Sequence, residues 1–176
     1  EPLAYITGIK EFWDLAIEVS SSVLIPRPET ELLVETALRQ LGDRPDSLVA
    51  DVCTGSGCVA VALATARAAL QVVATDISEK ALAVAAKNLD RHGVTDRVRL
   101  VRTDILSGVT DKFAMIVANP PYIPTGDRAR LQPEVRDYEP SLALFAGDEG
   151  LDIIRALAEH ADEHERARVF FRRAHG

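Results

Sequence analysis

The chain has 176 residues, 47% of them apolar, which suits a single domain with a core of its own. A formal charge of −7 argues against a broad phosphate-binding surface, and so against nucleic acid as a partner, and no apolar run approaches the length of a membrane span. Two cysteines, Cys53 and Cys58, are too few for a disulfide framework and lack metal-ligand company. They predict small core residues in a reducing compartment, the cytoplasm, and no metal site.

The chain divides into a β-hairpin lead-in over 1–28, a linking helix over 29–42 and an α/β core over 47–176, all in one domain. Trp13, Leu15, Ile17 and Val19 alternate with Asp14, Ala16 and Glu18, which predicts a half-buried strand. Ser20 to Ser22 would turn it into a second strand at Val23 to Ile25. Pro28 suits the first turn of a helix in which the macrodipole favours Glu29 and Glu31. Leu33, Ala37 and Leu41 mark its apolar stripe, and Gly42 ends it.

From Ser47 short β runs alternate with helices. Strands are expected at Leu48–Val52, Val72–Thr75, Val98–Val101, Ala114–Ala118 and Val169–Phe171. Helices fall at Val59–Ala69, after a Ser78 cap with Gly93 closing it, and from Gly150 with Ile154, Leu157 and Ala161 in register. This rhythm means a mostly parallel, Rossmann-like α/β sheet with helices on both faces, and ligands in such sheets bind beyond the carboxyl ends of the strands.

The residues at those ends carry the chemistry. Asp51 to Gly57, DVCTGSG, run from the first strand into a helix. Gly55 and Gly57 allow a sharp turn and a close approach, and the helix N-terminus offers amides. Ala60 stands where a dinucleotide fingerprint has its third glycine. Asp51 would repel a pyrophosphate and suits a cationic ligand, such as the sulfonium and ammonium of S-adenosylmethionine. Asp76 ends the second strand, where a carboxylate can accept both ribose hydroxyls. Asp104 ends the third, with Ile105 placed to cover an adenine face.

The fourth strand ends in NPPY, Asn119 to Tyr122. Pro120 and Pro121 have no amide hydrogen, so the loop presents acceptors. The Asn119 side-chain oxygen and the Pro120 carbonyl can hold both hydrogens of one NH₂ group, and Tyr122 offers a face for a planar amide or base. Holding both hydrogens in a low-dielectric pocket favours charge developing on nitrogen as it attacks a methyl group.

The glycine loop, Asp76 and Asp104 resemble the class I methyltransferases. NPPY is similar to the motif of amino-methylating enzymes. EPLAYITG (Glu1 to Gly8), Glu11-Phe12 and VLIPRPETE (Val23 to Glu31) resemble the HemK-type protein-glutamine methyltransferases, which act on the Gly-Gly-Gln loop of peptide chain release factors. That resemblance implies S-adenosylmethionine as cofactor and release factors as protein substrate. It assigns the cofactor loop to Cys53, Thr54, Gly55, Ser56 and Gly57, the ribose acid to Asp76 and the adenine side to Asp104 and Ile105. Asn119, Pro120, Pro121 and Tyr122 match the glutamine clamp, and Arg27, Pro28, Glu29 and Thr30 would lie near the cofactor entrance. Cys53 replaces the family's usual glycine, a tolerable change if its φ stays negative.

The family carries a helical N-terminal domain and closing strands that this sequence lacks, which predicts a fragment whose exposed sheet edge invites self-association. Two alternatives stand beside this reading, an amino-group methyltransferase of adenine in nucleic acid and a non-catalytic relative that only holds the cofactor. His92, His160, His164 and His175, scattered among charged residues, read as solvated surface.

Overall fold

The computed structural model describes residues 1–42, 47–163 and 168–171; His164 and His175 lie outside them. A short helix α1 (Leu3–Thr7) leads into a hairpin of β1 (Ile9–Phe12) and β2 (Leu15–Glu18), and α2 (Pro28–Leu41) follows. The core then runs β3 (Leu48–Val52), α3 (Cys58–Ala66), β4 (Gln71–Asp76), α4 (Glu79–Arg91), β5 (Val98–Arg102) and β6 (Met115–Ala118). A 3₁₀ turn (Thr125–Arg130), α5 (Pro133–Tyr138), α6 (Ser141–Leu144), α7 (Asp152–Glu163) and β7 (Arg168–Phe171) complete it. Among the described residues no helix is long and apolar enough to cross a membrane.

The parallel sheet is as expected, in the order β5-β4-β3-β6-β7. Val49, Val72 and Met115 point to one face, where α2, α3, α4 and the hairpin bury Leu33, Leu63, Leu89 and Ile17. Ala50, Val73 and Ile116 point to the other, against Phe113 and Leu157 of α7. This period-2 split of near-continuous apolar strands is what a sheet covered on both sides requires. β7 runs parallel to β6, pairing Ala118 with Phe171, so the fifth expected strand is in place.

The lead-in differs from expectation. Val23 to Ile25 form no strand, although Val23 and Ile25 are buried. The partner of Leu15–Glu18 lies upstream, with Phe12 opposite Leu15 across the two-residue turn Trp13-Asp14. Both turn residues have positive φ, 55° and 57°, the geometry normally signalled by Asn-Gly. Here a distant group supports it: the Trp13 amide donates to Glu31 Oε1 of α2 at 3.0 Å. α3 also ends at Ala66, before the expected Ala69. Arg67 is extended there and donates to Leu38 O at 3.2 Å.

Candidate active site

The strand register brings the chemistry-bearing loops side by side. Val52 lies level with Thr75 on one side and with Ala118 on the other, and Asp76 is level with Arg102. Chain order reverses between β3 and β6, so the glycine loop and NPPY flank the switch point at the carboxyl edge.

A cavity of about 170 Å³ opens there. Asp51, Cys53, Thr54, Gly55, Ser56, Asp76, Asp104, Ile105 and Asn119 all line it. Gly57 does not; its added Cβ would lie 3.1 Å from Ala85 Cβ, so that glycine serves the close approach of loop and α4.

Several amides around the glycine loop are already engaged within the protein. Ala60 N–H donates to Asp51 Oδ2 at 3.1 Å and Gly57 N–H to Thr54 O at 2.9 Å. Gly55 N–H donates to Asp76 Oδ2 and Ser78 N–H to Asp76 Oδ1, each at 2.9 Å. Three of these donors, Ala60, Gly55 and Ser78 N–H, are thus taken by the protein's own carboxylates, because burying an acid requires partners for its oxygens. The Thr54 hydroxyl adds a second bond to Asp51 Oδ2, of 2.6 Å. The cap of α4 is Ser78, as expected, whose Oγ accepts from Ala81 N–H at 3.2 Å.

Burial pushes the Asp51 carboxyl up to about 7, against the lowering effect of Thr54 and Ala60. Asp76 is raised too, chiefly by burial. The Cys53 thiol is driven up by burial and then by Asp76, Asp51 and Asp104 together. Three carboxylates thus act on one small floor, an electronegative setting that fits a ligand carrying a positive centre.

Cys53 itself departs from expectation, with φ at +60°. Ile105 is left-handed as well, at +53°, and the buried Thr75 hydroxyl donates to its carbonyl at 2.8 Å. Thr75 also accepts Thr54 N–H through its backbone oxygen at 2.9 Å, so one threonine ties both strained loops together. Sequence reasoning passed over Thr75; its only signal is its place beside Asp76.

A second cavity, of about 180 Å³, adjoins the first and is lined by Pro120, Tyr122, Arg27, Glu29 and Val135 among others. Pro121, grouped with the clamp on sequence, faces the first cavity instead. Leu24, Thr30, Asn119 and Ala143 line both. Asn119 Nδ2 lies 3.5 Å from Thr30 Oγ1, which aims the amide nitrogen at α2.

Two segments close the far wall. Leu24, Pro26 and Arg27 face Pro140, Leu142, Ala143 and Leu144, residues in which no motif was read. Arg27 Nη2 bonds Glu139 Oε1 at 2.6 Å, with the Glu139 side chain 1% exposed, and joins them. The 24–27 side of this wall falls within the VLIPRPETE string, whereas on the other side the sequence offers only a proline at the start of a short helix, Pro140. Among the described residues no group of His, Cys, Asp and Glu could hold a metal ion. His92, read as solvated surface, also contacts Ala16 O at 3.0 Å through Nε2.

A doubly wound sheet with acids at three adjacent strand ends and a second cavity at the fourth defines a class I methyltransferase domain. The chain belongs to the methyltransferase small domain family, whose model matches residues 28–132. It is 47% identical over 165 residues to the release factor glutamine methyltransferase of Geobacter sulfurreducens, covering 93% of this chain and 57% of that protein. With its counterpart of the same name in Nitratidesulfovibrio vulgaris it shares 48% over 166 residues, covering 92% and 55%. The chain thus spans little more than half the length of these relatives. Among solved structures, the hMettl16 catalytic domain matches with a TM-score of 0.72 at 18% identity, covering 89% of this chain and 60% of that one. A methyltransferase from Pyrococcus furiosus matches with 0.61 at 22%, covering 89% and 68%. At those identities the likeness concerns the fold alone.

Proposed function

We propose that this chain is a catalytic domain that transfers a methyl group from S-adenosylmethionine to the side-chain amide nitrogen of glutamine in the Gly-Gly-Gln loop of peptide chain release factors. The single observation that carries the reading is that Asn119 stands in the wall common to both cavities, beside the acidic floor on one side and the proline–tyrosine loop on the other. The names of the bacterial relatives supply the substrate class.

The first cavity is the cofactor site in this reading. Asp76 keeps lone pairs beyond its two backbone bonds for the ribose hydroxyls. Ile105 covers the adenine, Asp104 meets its edge, and Asp51 with the glycine loop faces the cationic end. When bound, S-adenosylmethionine supplies a methyl group activated by its sulfonium.

The chain's own residues then prepare the acceptor. Asn119 Oδ1 and the Pro120 carbonyl accept the two hydrogens of the glutamine NH₂, which favours positive charge on nitrogen as its lone pair turns toward the methyl group. Tyr122 lies against the amide plane, and the walls from Leu24 and Ala143 exclude water. No strong base is required before transfer, because the methylated nitrogen is acidic and loses its proton afterwards. Confining donor and acceptor to adjoining cavities supplies the orientation.

Methyl transfer from radiolabelled cofactor tests this. Label should appear in a bacterial release factor and not in its Gln→Ala variant at the Gly-Gly-Gln loop. Label in DNA adenine instead would select the nucleic-acid reading, and cofactor binding without transfer to any acceptor would select the non-catalytic one.

A further inference from the structure

Helix α4 turns one side to the hairpin and to the glycine loop at once, and Asn88 is where the two meet. It is wholly buried. Its Oδ1 accepts the Glu18 amide at 2.7 Å, and its Nδ2 donates to Glu18 O at 2.9 Å and to Ser56 O at 2.8 Å. An acceptor facing an N–H and a donor facing two carbonyls leave one orientation of the amide open. Around it Lys87 Nζ meets Glu18 Oε1 at 3.1 Å and His92 Nε2 meets Ala16 O, so α4 grips strand β2 along its length. One turn back, Ala85 presses on Gly57.

We propose that Asn88 is a positioning residue for the first cavity, coupling the order of the N-terminal hairpin to the affinity for S-adenosylmethionine. The proposal rests on reading that cavity as the cofactor site. Ser56 lines the cavity, and its carbonyl is fixed by Asn88 immediately before Gly57 takes a left-handed φ of 78°. The course of residues 53–57 therefore depends on a side chain whose other two bonds belong to β2. Leucine, of similar shape, would leave the buried Ser56 carbonyl and the part-buried Glu18 amide and carbonyl without this partner, and aspartate has no donor for either carbonyl. Coupling of this kind is reciprocal: if the hairpin braces the loop, a ligand on the loop must steady the hairpin.

Calorimetry with S-adenosylmethionine on Asn88→Ala and on its buried neighbour Leu89→Ala, both checked for folding by circular dichroism, tests the proposal. Asn88→Ala should bind about tenfold more weakly, within the usual span of coupled sites, while Leu89→Ala binds as the parent does. Equal affinity for Asn88→Ala, or an equal loss in Leu89→Ala, overturns it. Hydrogen exchange on the unaltered chain decides the matter even if Asn88→Ala does not fold. Saturating cofactor should slow exchange of the Glu18 amide, and an amide indifferent to cofactor overturns the coupling. A parent chain that binds no S-adenosylmethionine at all would instead remove the assignment of the cavity on which the proposal stands.

Discussion

Cys53 and Ile105 are two non-glycine residues held left-handed at the rim of one cavity. For an L-residue that conformation costs about 1–2 kcal/mol, and a β-branched side chain suffers most. Such strain persists only where the surroundings impose it, and Thr75 is the group that does so here. Cys53→Gly should therefore raise stability, by up to about 1 kcal/mol after the loss of thiol packing, and Cys53→Val should lower it. Thermal unfolding of the two variants gives the signs, and a destabilised Cys53→Gly would contradict the account of strain. Asp76 makes a different prediction. Its oxygens already hold the Gly55 and Ser78 amides, so Asp76→Ala loosens the loop and, in the proposed reading, removes the ribose partner together. Affinity for S-adenosylmethionine should fall by about 1.5–3 kcal/mol, as for bonds to a charged group, and calorimetry showing no change would leave Asp76 a purely local support.

At the scale of elements, what the sequence made legible followed from periodicity. The strands from β3 to β7, α2 with Pro28 in its first turn, and α4 with its Ser78 cap all declare themselves through short-range signals. The hairpin turn does not, because Trp13-Asp14 is tolerated only through Glu31, 18 residues away. The region from Thr125 to Leu144 is equally silent. Its short helices lack an amphipathic period, and their placement comes from contacts such as the Ile123–Phe145 bridge. Gly150, readable only as a helix boundary, proves to be a packing contact. Its φ is +70° and an added Cβ would lie 2.2 Å from Tyr122 O, backbone that cannot step aside. Gly150→Ala should displace the Tyr122 loop, lowering methyl transfer far more than cofactor affinity. A variant with unchanged turnover would mean the loop adapts freely.

For the molecule as a whole, the buried acids set a pH dependence. Asp51 titrates near 3.8 in an unfolded chain and near 7 in the folded one. Between those values the native state keeps a proton that the unfolded state has lost. Stability from this group is therefore full below the lower value, falls as pH rises through the window and levels off above about 7. Asp76, shifted the same way, adds to the slope. Denaturant unfolding across that range should show the decline, and Asp51→Asn should flatten it; an unchanged slope would mean the carboxyl is not buried as described. The lining of the first cavity was largely legible residue by residue, since each acid follows a strand. Of the second cavity only the 27–30 and 119–122 parts were legible; Val135, Ala143 and Leu144 were not, because tertiary contacts such as the Arg27–Glu139 ion pair bring their segment there. The measurement closest to the central claim is paired, on Asn119→Ala: cofactor affinity by calorimetry, and single-turnover methyl transfer to a release factor. If Asn119 acts on the acceptor as charge develops, as proposed, transfer should fall about a hundredfold while affinity barely moves. Transfer at the parent rate, or an equal loss in both measurements, would contradict the placement of Asn119 between methyl donor and acceptor amide.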